Sequence, residues 1–379
     1  MLIARTFYFV VYAALAFLMP FLSLYYQKEL GLSGSEIGLL TGLAPIVSLI
    51  GASVWGAVAD ATQKHKMILL TAIFGVLASV FFIFKATAFI WLVSAVMLYA
   101  FWASPVLPIV DNAVMTLLGD RRNEYGLERV WGSVGWGVSA IFAGIFIQRL
   151  GLYWAFYGFF ILYGALLLIA VRFPVPRVSI SVNFWQGFSQ LASNSRWLIF
   201  LLVALSEGVS LGIFLNFLFL YLSDMNASRT IMSLSLTFAT FSEIPVFLVG
   251  HKLLRRWSPV QLLAFSVLIT AIRAFLYASM TEPWQVLVIS LLHGPTFAVM
   301  WTAGVAYATQ TAPKGMGTTA LGVFSGMVFG LGSALGSFAG GWLFQHLGHT
   351  APFIWAGLVS LAALLPFIWI HRRTVFRRA

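Results

Sequence analysis

Six ionisable side chains interrupt stretches that are otherwise apolar: Asp111, Arg129, Glu207, Glu243, Arg273 and His293. Groups of this kind are costly to hold in such surroundings, so each needs a partner or a task. A carboxyl group can take up and release a proton, a guanidinium can grip a carboxylate or hydroxyl edge, and an imidazole can do both. No HExxH motif, serine elbow or phosphate-binding glycine-lysine loop accompanies them. These residue types offer binding and proton transfer, and the sequence holds no catalytic constellation that would make it an enzyme.

The elements that position them must be membrane helices. The chain is 61% hydrophobic and 9% charged, with a mean hydropathy of +0.95. A spanning helix needs about 20 mostly apolar residues, and about twelve such stretches are separated by short polar links. Their approximate limits are 6–26, 36–58, 67–86, 89–117, 127–148, 151–171, 197–222, 228–250, 260–280, 284–310, 316–344 and 350–370. They are too long for the strands of a membrane barrel and lack the alternation those strands need. The expected fold is therefore an all-α membrane protein, with the first stretch retained as a helix despite the loosely signal-like Ala14-Leu15-Ala16 behind Arg5.

The net charge of +11 is explained by topology. With the N-terminus in the cytoplasm, only Lys28, Lys85, Arg149 and Arg229 fall on the far side, and Arg273 lies inside a span. Every other Lys and Arg faces the cytoplasm, which is the positive-inside pattern and places both termini there. Nucleic acid is accordingly not an expected partner. The basic tail 372–379 is expected to rest on anionic headgroups. The chain has no cysteine, which excludes disulfides, thiol catalysis and thiolate metal sites. His346 and His349 are expected at the outer headgroup level, and neither a metal nor a cofactor is expected.

The chain divides in two. The longest polar link, 173–196, opens with FPVPR and continues through NFWQGFSQLASNSRW, a candidate interfacial amphipathic helix between bundles at 1–172 and 197–371. Each half carries a glycine followed by a basic turn after its second span: GAVADATQKHK (Gly56 to Lys66) and GHKLLRRW (Gly250 to Trp257). In span eleven, Gly322, Gly326 and Gly330 share one face, as do Gly332, Gly336 and Gly340, a spacing that lets helices approach closely. Pro20, Pro45, Pro105, Pro108, Pro245 and Pro295 fall within spans, where they can kink a helix and free a carbonyl.

Between spans four and five runs DNAVMTLLGDRRNEYGLERVWGSVGW. If these spans form a hairpin turning near 120–124, Asp111 lies roughly 12 Å above the turn and Arg129 about half that. The two charges are then expected to meet, either as part of a binding site or as a lock on the hairpin.

Two motifs carry a resemblance. Gly56 and Asp60, with Lys64 and Lys66, resemble the loop between the second and third helices of the major facilitator superfamily, although Ala61 and Gln63 replace its usual arginine and glycine. The Asp111–Trp136 stretch resembles the lactose permease-like branch of that superfamily. Asp111 followed by Tyr125 to Ser133 is most similar to its phenylpropionate-type permeases, while Trp136 leans toward its sugar permeases. The resemblance implies two six-helix bundles around a central cavity, working by alternating access, with the loop at 56–66 as a cytoplasmic gate. An ordinary stop-transfer turn is the other reading of that loop.

The resemblance also implies roles. Asp111 and Arg129 would hold polar groups of a substrate and Trp136 would stack on its ring, unless it is only a packed aromatic. Glu243, Arg273 and His293 stand on spans eight, nine and ten where the galactoside permeases have residues for binding and coupling, with Arg273 and His293 expected to contact substrate. Thr296 replaces the proton-carrying glutamate of those permeases, so any proton must ride on another acid. Glu207, in LSEGVSLG, has no evident basic partner in sequence and is the first choice, with Glu243 second; Glu207 could instead bind substrate. The expectation is a monomeric transporter in a prokaryotic inner membrane, moving an aromatic acid, sugar or nucleoside with protons. Efflux of amphipathic compounds by antiport, and lipid handling or scrambling, are the alternatives.

Overall fold

A computed structural model of the protein describes residues 1–176, 194–312 and 316–375. Among them, twelve helices are long and apolar enough to cross a bilayer. They are α1 Leu2–Lys28, α2 Gly34–Thr62, α3 His65–Lys85, α4 Phe89–Leu118, α5 Tyr125–Leu150 and α6 Trp154–Arg172. The remainder are α7 Ser195–Asp224, α8 Arg229–Arg256, α9 Pro259–Ala278, α10 Gln285–Thr311, α11 Thr319–His346 and α12 Ala351–Arg372. The described residues contain no strand, and the all-α expectation holds span by span. The expected amphipathic helix of the central link falls mostly on 177–193, outside the described residues, as do Lys314 and the last residues of the basic tail.

Prolines divide into two kinds. Pro20, Pro45 and Pro245 are carried within unbroken helices. Pro105 separates the Phe89–Ala103 and Val106–Leu118 segments of α4, and Pro295 lies in a π-helical turn, Gly294–Ala298, inside α10. A missing N–H breaks the regular ladder at such points. A second π turn, Gly326–Gly332, interrupts α11.

The described chain forms two compact units. In the first, α1 is the most buried span, packed closely against α5. A β-carbon on Gly135 would stand 2.2 Å from the Phe9 carbonyl oxygen, and one on Gly132 would stand 2.8 Å from the Tyr12 ring. Small residues let these backbones approach where lipid supplies no hydrophobic drive. Ser228–Thr237, at the start of α8, also belongs to this unit, and Thr237 Oγ1 donates to the Gly137 carbonyl at 2.9 Å.

In the second unit α7 is the buried axis, and its glycines face those of α11. A β-carbon on Gly208 would stand 2.3 Å from the Val328 carbonyl oxygen, one on Gly212 2.4 Å from that of Ser333, and one on Gly336 2.2 Å from that of Val209. Only one of the two glycine faces expected on α11 is a packing face throughout. Gly332, Gly336 and Gly340 meet α7, whereas a β-carbon on Gly322 would meet nothing within 4 Å. The π turn between them breaks the i, i+4 register on which the other face depended. Ser33–Gly42, at the start of α2, packs in this unit, where the Ser35 amide donates to Gln345 Oε1 at 2.9 Å.

Gly336→Val should therefore force α7 from α11 and destabilise the protein by about 1–3 kcal/mol or more, whereas Gly322→Ala should be neutral. Thermal unfolding midpoints of the detergent-solubilised variants check the contrast.

Candidate functional site

The first unit answers the charge of Arg129 with phenols. On α1, Tyr8 and Tyr12 lie one turn apart on one face, and the glycines of α5 bring that face against Arg129. The guanidinium lies over the Tyr12 ring at 4.3 Å and the Tyr8 ring at 5.4 Å from their centroids, and it donates a hydrogen bond to the Tyr12 hydroxyl. Asp111 Oδ1 accepts from the Tyr8 hydroxyl at 2.5 Å, and the Tyr125 hydroxyl lies near the same carboxylate. No ion pair joins Asp111 to Arg129. The expected direct meeting is thus corrected: Tyr8 stands between them, with its ring toward the cation and its hydroxyl on the anion. The two still feel each other electrostatically.

The neighbouring Glu128, not among the buried ions expected from the sequence, is 2% exposed. Arg5 donates to both of its oxygens, at 2.9 and 2.8 Å, the fork geometry that suits a guanidinium and a carboxylate. Trp136 follows Arg129 by two helical turns and is half-buried, and no aromatic ring packs on it among the described residues.

The second unit answers Arg273 in a parallel way. Its Nε and Nη2 donate to the Tyr277 hydroxyl at 3.2 and 3.0 Å, and Nη1 meets His293 Nδ1 at 3.0 Å and Thr296 Oγ1 at 3.1 Å. The guanidinium also lies 5.1 Å from the Phe214 ring centroid. His293 Nε2 in turn stands 3.3 Å from Glu243 Oε2. An arginine can only donate, so Nδ1 accepts, and the ring proton sits on Nε2 facing Glu243. Glu207 is buried beside them. Its Oε2 accepts from Thr270 at 3.0 Å, while its Oε1 has no hydrogen-bond partner.

Glu243, Arg273 and His293 are therefore brought together as the sequence led us to expect, with Glu207 close enough to feel Arg273. Tyr277 and Thr270 were missed, and Thr296, noted only as replacing a glutamate, proves to be an acceptor for Arg273. A readable signal existed, since Thr270, Arg273 and Tyr277 share one face of α9 at helical spacing, and Tyr8 and Tyr12 repeat it after Arg5 on α1.

The expected gate residues are scattered in character. Gly56 and Asp60 are exposed and lie within α2. Lys64 is exposed at the head of α3. Lys66 donates to the Ala170 carbonyl at 2.5 Å and to that of Phe173, so it caps the end of α6, whose last carbonyls lack helical partners. In the second unit, His349 Nδ1 pairs with Asp224 at 2.8 Å, and the described residues hold no cluster able to bind a metal.

The pattern of twelve spans with buried arginine networks in each unit agrees with what comparison shows. The model of the MFS_1 like family matches residues 1–355. The chain belongs to this family of the major facilitator superfamily. A maltose permease of Geobacillus stearothermophilus is 27% identical over 97% of this chain and 93% of its own. A probable 3-phenylpropionic acid transporter of Escherichia coli is 25% identical over 94% of each chain. The crystal structure of nucleoside transporter NupG has the same fold, with a TM-score of 0.85 at 17% identity over 98% of both chains. The protein is thus a multi-pass membrane transporter of small solutes, and its relatives are transporters and not enzymes.

The geometry at His293 fixes its tautomer. Nitrogen-15 NMR of the labelled protein at neutral pH should show a proton on Nε2 and a bare Nδ1; a ring protonated at both nitrogens would contradict the bond from Arg273.

Proposed function

We propose that the protein is a secondary active transporter coupling the uptake of a ring-bearing polar solute to protons, by alternating access. It acts as a monomer in a prokaryotic inner membrane, with both termini in the cytoplasm. The observation that carries the reading is the state of Arg129: a guanidinium inside a spanning helix, held by aromatic faces and a phenol and without a carboxylate in contact. A cation so placed favours an incoming anionic or hydroxyl-rich group, for which charge-assisted hydrogen bonds are the strong ones. Trp136, on the same helix face and free of ring partners, supplies a surface for the solute's own ring.

Aromatic acids fit this pairing of cation and aromatic surface best. The 3-phenylpropionic acid transporter among the relatives supports that class, and the maltose permease keeps sugars as the second. Nucleosides, which NupG carries, are the third. Asp111, fixed by Tyr8, shapes the pocket and competes for Arg129 when the solute is absent.

Coupling is assigned to the second unit. Glu207 has one oxygen bonded to Thr270 and one without a partner, so it is the least compensated carboxylate of the site and the first choice for the proton. Protonation of His293 at Nδ1 would break its bond from Arg273 and free a donor of that guanidinium. Proton binding and solute binding are thereby linked through Arg273, with Glu243 holding the far side of the ring.

Uptake into proteoliposomes under an imposed inward proton gradient tests the whole reading, with labelled aromatic acids, sugars and nucleosides as the panel. One class should accumulate. Arg129→Lys, which keeps the charge but loses the flat stacking surface, should weaken its transport about tenfold to a hundredfold. Glu207→Gln should abolish accumulation yet retain counterflow. Gradient-independent equilibration, equal in wild type and Glu207→Gln, would refute coupling, and exclusion of substrate in place of accumulation would mark an efflux antiporter.

A further inference from the structure

The outer face of α3 carries two features that the proposed solute and proton sites do not use. At its head lies a cavity of about 420 Å³ lined by Gln63, Lys64, His65, Lys66, Met67 and two apolar residues, with no carboxylate among them. Beyond it runs a groove of about 570 Å³ between α3, α4 and α6. Leu70 lines both, so the polar cavity adjoins the apolar groove.

We propose that this surface binds an anionic phospholipid, with its phosphate at the α3 N-terminus and one acyl chain in the groove. The cavity is built for an anion. No side chain caps the start of α3, so its first amides point outward with the positive end of the helix dipole. Lys64 is exposed at that position. Lys66 spends two of its three donors on α6 carbonyls and keeps its charge and one further N–H. His65 supplies the independent sign. It is 8% exposed, and its buried Nε2 has no hydrogen-bond partner, which is rare for a buried polar atom unless a ligand or water answers it. Asp60, one turn earlier, does not line the cavity.

The groove is built for a chain. Leu70, Phe74, Ala78 and Phe82 recur at four-residue spacing and line it along one helix face. They extend for about 18 Å at 1.5 Å per residue, close to the half-thickness of a bilayer core, about 15 Å. Its floor is the Trp102 ring, which lies where a β-carbon on Gly75 would be, only 2.3 Å from it. The two hydroxyls in the groove are satisfied within α3: Thr71 donates to the Met67 carbonyl at 3.0 Å and Ser79 to that of Gly75 at 2.7 Å. A dry trough that begins at a cationic cavity matches a two-part amphiphile, and a free phosphate would use only the first part.

Native mass spectrometry of the detergent-solubilised full chain, titrated separately with phosphatidylglycerol, phosphatidylcholine and inorganic phosphate, tests this. One phosphatidylglycerol should be retained in preference to phosphatidylcholine. Lys64→Gln, at an exposed position, should weaken it about fivefold. Ala78→Trp, which fills the groove, should weaken it more than about tenfold, with an unchanged melting midpoint in lipid-free detergent showing that the variant is folded. Equal retention of the two lipids, or indifference to both substitutions, would overturn the proposal. So would inorganic phosphate competing as well as the lipid while Ala78→Trp has no effect, since that would mark an ion site alone.

Discussion

A guanidinium within a membrane-spanning helix must be compensated, and both the half-buried Arg129 and the buried Arg273 are compensated in the same unusual way. Neither touches a carboxylate. Each is held by neutral acceptors and aromatic faces, and a carboxylate stands one residue further off: Tyr8 separates Arg129 from Asp111, and His293 separates Arg273 from Glu243. A direct ion pair would satisfy both charges fully and leave little for a ligand, whereas hydrogen bonds from a charged donor to neutral acceptors are individually worth about 1.5–3 kcal/mol. Under the proposed function, the intermediate ring would keep the charge stable in the absence of solute while leaving it competent to bind.

That arrangement demands close and exact helix approach, which glycine and irregular helix geometry provide. Tyr8 and Tyr12 reach Arg129 because Gly132 and Gly135 leave α5 without side chains where α1 crosses it. In α10 the π turn beginning at Gly294 follows His293 directly and carries Thr296, so one Nη1 of Arg273 finds both residues. Pro295 has no N–H to give to the regular ladder, and a π turn absorbs that loss without breaking the span. Backbone choices that look like weaknesses in a helix are here what places the charged groups.

How much of this was legible follows from the same physics. Spans were legible because length and apolarity are one-dimensional properties, and α4 and α5 end within two residues of their expected limits. Residues in the wrong environment were legible too, and Glu243, Arg273 and His293 do come together. Their partners were not, because Tyr8, Tyr12, Tyr125 and Tyr277 are amphipathic and look at home in an apolar helix. Glu128 escaped for a different reason: beside Arg129 and near a polar turn it reads as a surface residue, and only the three-dimensional path of α1 reveals that Arg5 reaches it. The π turn in α11 is invisible in the sequence, and Gly322, at one end of an expected packing face, meets no neighbouring helix.

The two units solve the same electrostatic problem with different chemistry, and the difference argues for a division of labour. Phenols surround Arg129, and they do not exchange protons readily in the neutral range. Around Arg273 the intermediate group is an imidazole, the one side chain whose proton state changes there by default, flanked by Glu243 and by Glu207 with its unpartnered oxygen. A change of one proton in the first unit has no obvious acceptor except Asp111, which the Tyr8 hydroxyl already holds. In the second it reorganises hydrogen bonds at the arginine itself. Under the proposed function, selectivity would reside where the surroundings are chemically fixed, and coupling where a single proton can exchange one bonded state for another.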